Sequence, residues 1–214
     1  MADKYLIITP CIEGSSEIPA SLLQSTDHII CADGGYEMAL QLGVKPSLWI
    51  GDADSLSNDK ILPKGLIEHR LPKEKDLTDT EAAVKAAIDA GAGEICILGG
   101  LGGRFDHTMG NLGILEKYIN HPIVIEDGIN RVRLLLPGNK KVKKDQFKYL
   151  GLVSFTEKVE GLTVKNVKYP LKEFTLLKGT TLGVSNEIKE EYCEIEFKKG
   201  KLLVIQSNDG KRNK

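Results

Sequence analysis

The sequence predicts an α/β N-terminal domain with a mainly parallel sheet over residues 1–128, followed by an all-β, sandwich-like C-terminal domain over residues 129–214. Three observations predict this. Up to about residue 127, short β-branched runs alternate with helical patterns, which is how parallel strands covered by helices read. Beyond about residue 130, strand patterns follow one another with no helix-length spacer, as in an antiparallel sandwich or barrel. The third is size: 214 residues, 41% of them hydrophobic, can bury one large core or two small ones.

The first half supplies strands at "YLIIT" (5–9), "HIICA" (28–32), "SLWIG" (47–51), "EICILGG" (94–100) and "PIVIED" (122–127). Among the intervening helices, "TDTEAAVKAAIDAG" has the fullest set of signals. Thr78 is a natural N-cap, Glu81 stands where a capping box needs it, alanines favour the helix, and Gly91 can end it in a left-handed conformation. A helix from Asp79 to about Ala90 follows. The second half supplies "RVRLLLP", "FKYLGLVSFT", "EGLTVKNV", "EFTLLK", "YCEIEFKKG" and "KLLVIQS", separated by turns such as "PGN" and "KKG". The lysine run of "NKKVKKDQFK" reads as a solvated hairpin.

Composition excludes several function classes. With 29 Lys+Arg against 30 Asp+Glu, the formal net charge is -1, so nothing favours nucleic acid or an anionic membrane as a partner. Cys11, Cys31, Cys96 and Cys193 are far apart, and the first three sit in apolar runs, as buried reduced thiols do; neither a zinc site nor a disulfide framework is expected. "MADKYLIITPC" runs straight into a strand without a long apolar signal region, and no apolar run is long enough to cross a bilayer, so the cytoplasm is the expected location.

In an open α/β sheet, ligands bind beyond the carboxyl ends of the strands. Asp33 ends a strand there, followed by Gly34 and Gly35. Asp52 and Asp54 end another, and residues two apart in an extended segment point the same way. "KEKDLTDTEAA" adds Asp76 and Asp79, and "GGLGGRFDHTMGNL" adds Gly102, Gly103, Arg104, Asp106, His107 and Asn111. Each cluster alone is more often a turn or a helix cap. Several carboxylates converging on one crevice would repel one another, a conflict that a hard divalent cation such as Mg²⁺ removes while bridging to substrate phosphates. Glycine turns with backbone N–H donors, and Arg104 as a forked cation, suit those phosphates. The combination points to phosphoryl-type transfer. There is no G-x-x-x-x-G-K-[ST], and "GGLGGRF" does not meet G-x-G-x-x-G. His28, His69 and His121 are read as structural.

Taken in order, "CADGG" (31–35), "GDADS" (51–55), "KDLTDTE" (75–81), "GGRFDHTMGN" (102–111), "GLTVKNVKYPL" and "GVSNE" (183–187) resemble the motifs of the bacterial thiamine pyrophosphokinases over nearly the whole chain. The resemblance implies transfer of the diphosphate of ATP to the hydroxyethyl oxygen of thiamine, giving thiamine diphosphate and AMP. It implies Mg²⁺ held by Asp52, Asp54 and Asp79, with Asp76 nearby and Asp33 lining the same crevice. Arg104, Asp106, the glycines before them and His107 after would meet ATP. Thr78, Ser185 and Asn186 would meet thiamine, the last two reaching the site from the β domain of a second subunit of a homodimer. Asp54 and Asp79 are both candidates to take the alcohol proton. Trp49 stands where the family usually has an aliphatic residue and is read as core. Two other readings stay open: another small alcohol as acceptor, and a sensor that binds without turnover.

Overall fold

A computed structural model describes residues 2–12, 18–52, 65–72 and 76–210. Asp54 lies outside the described residues. The chain divides into two compact units, Met1–Gly128 and Ile129–Lys214.

The first unit contains β1 (Lys4–Ile8), α1 (Ala20–Gln24), β2 (His28–Ala32), α2 (Gly35–Gln41), β3 (Leu48–Gly51), β4 (Ile67–Arg70), α3 (Asp79–Asp89), β5 (Glu94–Leu98), α4 (Phe105–Lys117) and β6 (Ile123–Glu126). Its strands lie in the order β4-β3-β2-β1-β5-β6, and every pair is parallel. The apolar runs bury on both faces, as a parallel sheet requires. Leu6, Ile8, Cys31, Trp49, Cys96, Leu98 and Val124 share one core cluster with Tyr36 and Ala39 of α2. α3 packs on β1, β2 and β3 with Ala83, Val84 and Ala87 buried.

α3 begins where its cap residue predicts: Thr78 is extended, and its hydroxyl accepts the Glu81 N–H at 3.2 Å. The reciprocal half of the capping box does not form. The Glu81 carboxylate turns instead to Lys117 Nζ and to the Tyr118 hydroxyl at the end of α4. Gly91 ends the helix at φ 86°, the left-handed position expected of it.

The second unit contains β7 (Asn130–Leu135), β8 (Gly138–Lys143), β9 (Tyr149–Ser154), β10 (Lys158–Lys165), β11 (Leu171–Leu177), β12 (Tyr192–Phe197) and β13 (Leu202–Ser207). β13 pairs antiparallel with β7 and β9, and β11-β10-β12-β8 form a second antiparallel sheet. Leu150, Leu152, Leu202 and Val204 of the first sheet share one core with Val159, Leu162, Ile195 and Phe197 of the second, so this unit is a sandwich. β9 and β12 bury every second residue. The lysine run is not a hairpin: residues 138–143 are β8, an edge strand on β12, where lysines discourage further strand pairing.

Cys31, Cys96 and Cys193 are buried as thiols, but Cys11 is only partly covered, correcting the expectation for that residue. Burial pushes the Cys31 thiol up to about 12, and burial with help from Glu194 does the same for Cys193. Among the described residues no helix is long and apolar enough to cross a membrane.

Candidate active site

The strand order fixes where a ligand of the first unit should sit. The chain works outward from β1 to β4, then returns to the other side of β1 to lay down β5 and β6. Its direction therefore reverses between β1 and β5, and open α/β sheets bind ligands at such a switch, beyond the carboxyl ends of the strands. Two segments meet there, Thr9–Cys11 after β1 and Gly99–Gly103 after β5. The Thr9 N–H and hydroxyl both donate to the Leu98 carbonyl, at 3.1 and 3.2 Å, and the Gly100 N–H donates to the Cys11 carbonyl at 3.2 Å.

The turn after β5 needs its glycines for conformation and closeness. Gly99, Gly100, Gly102 and Gly103 all have positive φ. A Cβ on Gly99 would lie 2.3 Å from Thr9 Oγ1 and 2.4 Å from the Cys11 carbonyl oxygen. The expected backbone donors are largely committed within the protein: Gly99 N–H to the Glu126 carbonyl, Gly100 N–H to Cys11, and Gly102 N–H to the Thr108 hydroxyl at 3.1 Å.

Arg104 closes the turn as the N-cap residue of α4. Its guanidinium grips Asp106 through two bonds, Nε to Oδ1 at 3.1 Å and Nη2 to Oδ2 at 2.5 Å, both side chains being largely exposed. The Arg104 hydrogen bond holds the Asp106 carboxyl below its ordinary range, with the His107 N–H also donating to it at 3.0 Å. Asn111 is buried, and its amide donates to the Gly100 carbonyl at 2.9 Å, so it fixes the glycine turn from within. His107 is exposed.

The segment after β2 lies beside β1. Asp33 is half-buried at φ 49°, and with Gly34 it lines a cleft of about 310 Å³ together with Pro10, Glu37, Met38 and Gln41. Gly35 has a packing reason to be a glycine. A Cβ there would lie 1.9 Å from the Ile8 carbonyl oxygen, so its glycine lets α2 pack onto the end of β1. Asp52 follows β3 and is half-buried; Asp76 is exposed, and Asp79 is half-buried in the first turn of α3. Among the described residues no three acidic, histidine or cysteine side chains gather closely enough to hold a metal ion.

In the second unit, Ser185 is exposed at φ 60°. It tops a turn held to β9 by the Leu152 N–H donating to Gly183 and by a mutual pair between Leu150 and Asn186. The buried Asn186 side chain is engaged within the protein. Its Oδ1 accepts the N–H groups of Tyr169 (3.0 Å) and Glu187 (2.9 Å), and Nδ2 donates to the Tyr169 carbonyl (2.8 Å). Beside it, hydrogen bonds from Lys168 and Lys189 pull the Glu187 carboxyl down to about 2.

Three features are not anticipated by the sequence reading. Thr108 anchors the glycine turn; its signal is a hydroxyl in the first turn of a helix that follows a glycine loop. Glu126 and Asp127, both buried, close the strand beside that turn, and their signal is two carboxylates at the end of an apolar run. The third is Trp49, whose indole Nε1–H donates to the Asp33 carbonyl at 2.9 Å.

Comparison with known proteins agrees over both units. Residues 19–126 match the model of the thiamin pyrophosphokinase catalytic domain, and residues 140–202 match that of the thiamin pyrophosphokinase vitamin B1 binding domain. The chain is 33% identical to the thiamine pyrophosphokinase of Bacillus subtilis over 186 residues, 84% of this chain and 87% of that one. The crystal structure of the Bacillus subtilis thiamine pyrophosphokinase superposes with a TM-score of 0.85 at 30% identity, covering 97% of this chain and 100% of the other. That from Geobacillus thermodenitrificans gives 0.84 at 31% identity, covering 96% and 98%. On its two matched domains and this shared fold, the chain belongs to the thiamine pyrophosphokinase family and is an enzyme.

Proposed function

We propose that this enzyme forms thiamine diphosphate by moving the diphosphate of ATP onto thiamine in one direct, Mg²⁺-dependent displacement, releasing AMP. The observation that carries the reading is the glycine turn at the β1/β5 switch point with Arg104 at its end, in a chain of this family. The hydroxyethyl oxygen of thiamine bonds to the β-phosphorus, the bond from that phosphorus to the α–β bridging oxygen breaks, and the hydroxyl proton leaves to a carboxylate, Asp54 or Asp79. No side-chain nucleophile is needed, so positioning and charge neutralisation carry the catalysis.

Within this reading, Arg104 exchanges Asp106 for phosphate oxygens, which its planar fork fits equally well. Asp33, Gly34, Gly35, Gly102, Gly103, Asp106, His107 and Asn111 shape the ATP side, Asn111 and Gly35 by holding backbone in place. Asp52, Asp54, Asp76 and Asp79 would hold Mg²⁺; every donor is a carboxylate oxygen, the set a hard cation takes. When bound, the cation neutralises charge on the transferring phosphates. Thr78, Ser185 and Asn186 are assigned to thiamine, with a homodimer as the working form. The exposed Tyr169, Leu182 and Val184 around Ser185 support that association.

Phosphorus NMR of the purified chain with ATP, Mg²⁺ and thiamine tests the reaction. AMP and thiamine diphosphate should accumulate together, and only when thiamine and Mg²⁺ are both present. Accumulation of ADP, or no turnover, would overturn diphosphate transfer.

A further inference from the structure

Asp33 is in an unusual state for a residue with a side chain. Its φ of 49° lies in the left-handed region, which costs an L-residue free energy and persists where the surroundings impose it. The surroundings are specific. The Asp33 N–H donates to the Ile50 carbonyl at 2.7 Å, and its carbonyl accepts the Trp49 indole N–H at 2.9 Å and the Tyr36 N–H at the longer distance of 3.5 Å. Two neighbouring residues of β3 thus clamp both backbone groups of Asp33, one from its main chain and one from its side chain. The indole is 0% exposed and belongs to the core under the sheet, so its N–H points from a fixed body. It also reaches the other strand end. A Cβ on Gly51 would lie 2.7 Å from the six-membered ring of Trp49 and 3.2 Å from the Asp33 Cα, so Gly51, the residue before Asp52, is bare because the indole fills that space.

We infer that Trp49 is a positioning residue for ATP: through its indole N–H it locks the backbone of Asp33, and thereby the wall of the cleft that Asp33 forms with Pro10, Gly34 and Glu37. This rests on the reading above, in which Asp33 lines the ATP site. A hydrogen bond from a rigid buried donor has two consequences here. It gives the Asp33 carbonyl the shorter of its two hydrogen bonds, and it selects one orientation of the Asp33 peptide. Phenylalanine would keep most of the ring and its packing while removing the donor.

The test is steady-state kinetics of Trp49→Phe, Asp33→Ala and the double variant, each with its melting temperature. Trp49→Phe should raise KM for ATP by about three- to ten-fold, the worth of one net hydrogen bond, and leave KM for thiamine within two-fold, roughly the limit of such a measurement. In the Asp33→Ala background the same substitution should have little further effect, because the locked backbone acts on ATP through the direction it gives the Asp33 side chain. An unchanged KM for ATP in a folded Trp49→Phe chain, or the same fold-change with and without the Asp33 side chain, overturns the inference. Trp49 is the single tryptophan, so the unmodified protein gives an independent readout. Its one indole N–H resonance should shift on titration with Mg–ATP and stay in place with thiamine alone. A resonance that does not move at saturating Mg–ATP also overturns the inference, even if Trp49→Phe fails to fold. Failure of the diphosphate-transfer reading looks different: the unmodified chain would produce no AMP with thiamine, whatever the indole does.

Discussion

Arg104 and Asp106 are two residues apart and face each other across a two-bond contact in open solvent. An exposed pair of this kind adds little to stability, so its significance is in where it holds the guanidinium. Asp106 holds the Arg104 guanidinium in a two-bond contact at the end of the glycine turn. Under the proposed reading a phosphate, which brings more charge than the carboxylate, would take its place at low cost, because one forked contact would replace another. Lysine would keep the charge and lose the fork. Arg104→Lys should therefore lower kcat/KM for ATP by about ten- to a hundred-fold, since a point charge cannot follow both oxygens of the moving group. The melting temperature should stay within about 1 °C, as expected for an exposed side chain. Initial-rate kinetics at varied ATP with a thermal melt checks this, and a kcat/KM near that of the unmodified chain would remove Arg104 from the phosphate site.

The elements of the first unit show what a sequence displays and what it hides. β1, β2, β3, β5 and β6 are legible because their runs are apolar throughout, and α3 because its cap, alanines and terminal glycine agree. β4 is not, since "IEHR" is exposed at all four positions and carries no burial pattern; it is a strand because β3 offers it an edge. α1 is too short to show a helical period, and β8 reads as part of a solvated hairpin because its pairing with the distant β12 leaves no mark in the sequence. The acidic and glycine clusters of the site are legible as strings. Their contacts within the protein are not, because the grip of Trp49 on Asp33, of Asn111 on Gly100 and of Glu81 on α4 joins residues whose distance in sequence says nothing of contact. The capping of α3 bears on the site directly, because Asp79 sits in its first turn. Thr78→Ala should cost about 1 kcal/mol, the usual worth of a lost N-cap, and should reduce turnover by letting that turn fray. Thr78→Ser, which keeps the hydroxyl, should recover both. Chemical denaturation with parallel activity assays checks this; a Thr78→Ala chain of unaltered stability would show that the hydroxyl bond to Glu81 does not hold the turn.

At the scale of the molecule, the two units differ in how they reach stability and in what they expose. The parallel unit buries its sheet and places its polar groups at strand ends. The sandwich buries the facing sides of its two sheets in one core and leaves Tyr169, Leu177, Leu182 and Val184 more than half exposed. Three of these flank the Ser185 turn: Leu182 and Val184 in sequence, and Tyr169 through the Asn186 amide that holds its backbone. The turn packs closely on β9: a Cβ on Gly183 would lie 2.1 Å from the Leu152 carbonyl oxygen. A fixed polar residue surrounded by exposed apolar side chains is the composition of an interface, in which desolvated anchors surround a specific contact. Under the homodimer reading, a charge at Val184 should weaken association without unfolding a side chain that is 52% exposed. Val184→Asp should then sediment near the monomer mass of 23.5 kDa at concentrations where the unmodified chain sediments at about twice that. KM for thiamine should rise while the melting of the isolated subunit stays cooperative. Velocity sedimentation over a range of concentrations decides it. An unmodified chain that is monomeric throughout and fully active would show that one subunit suffices, and the apolar side chains around Ser185 would then need another explanation.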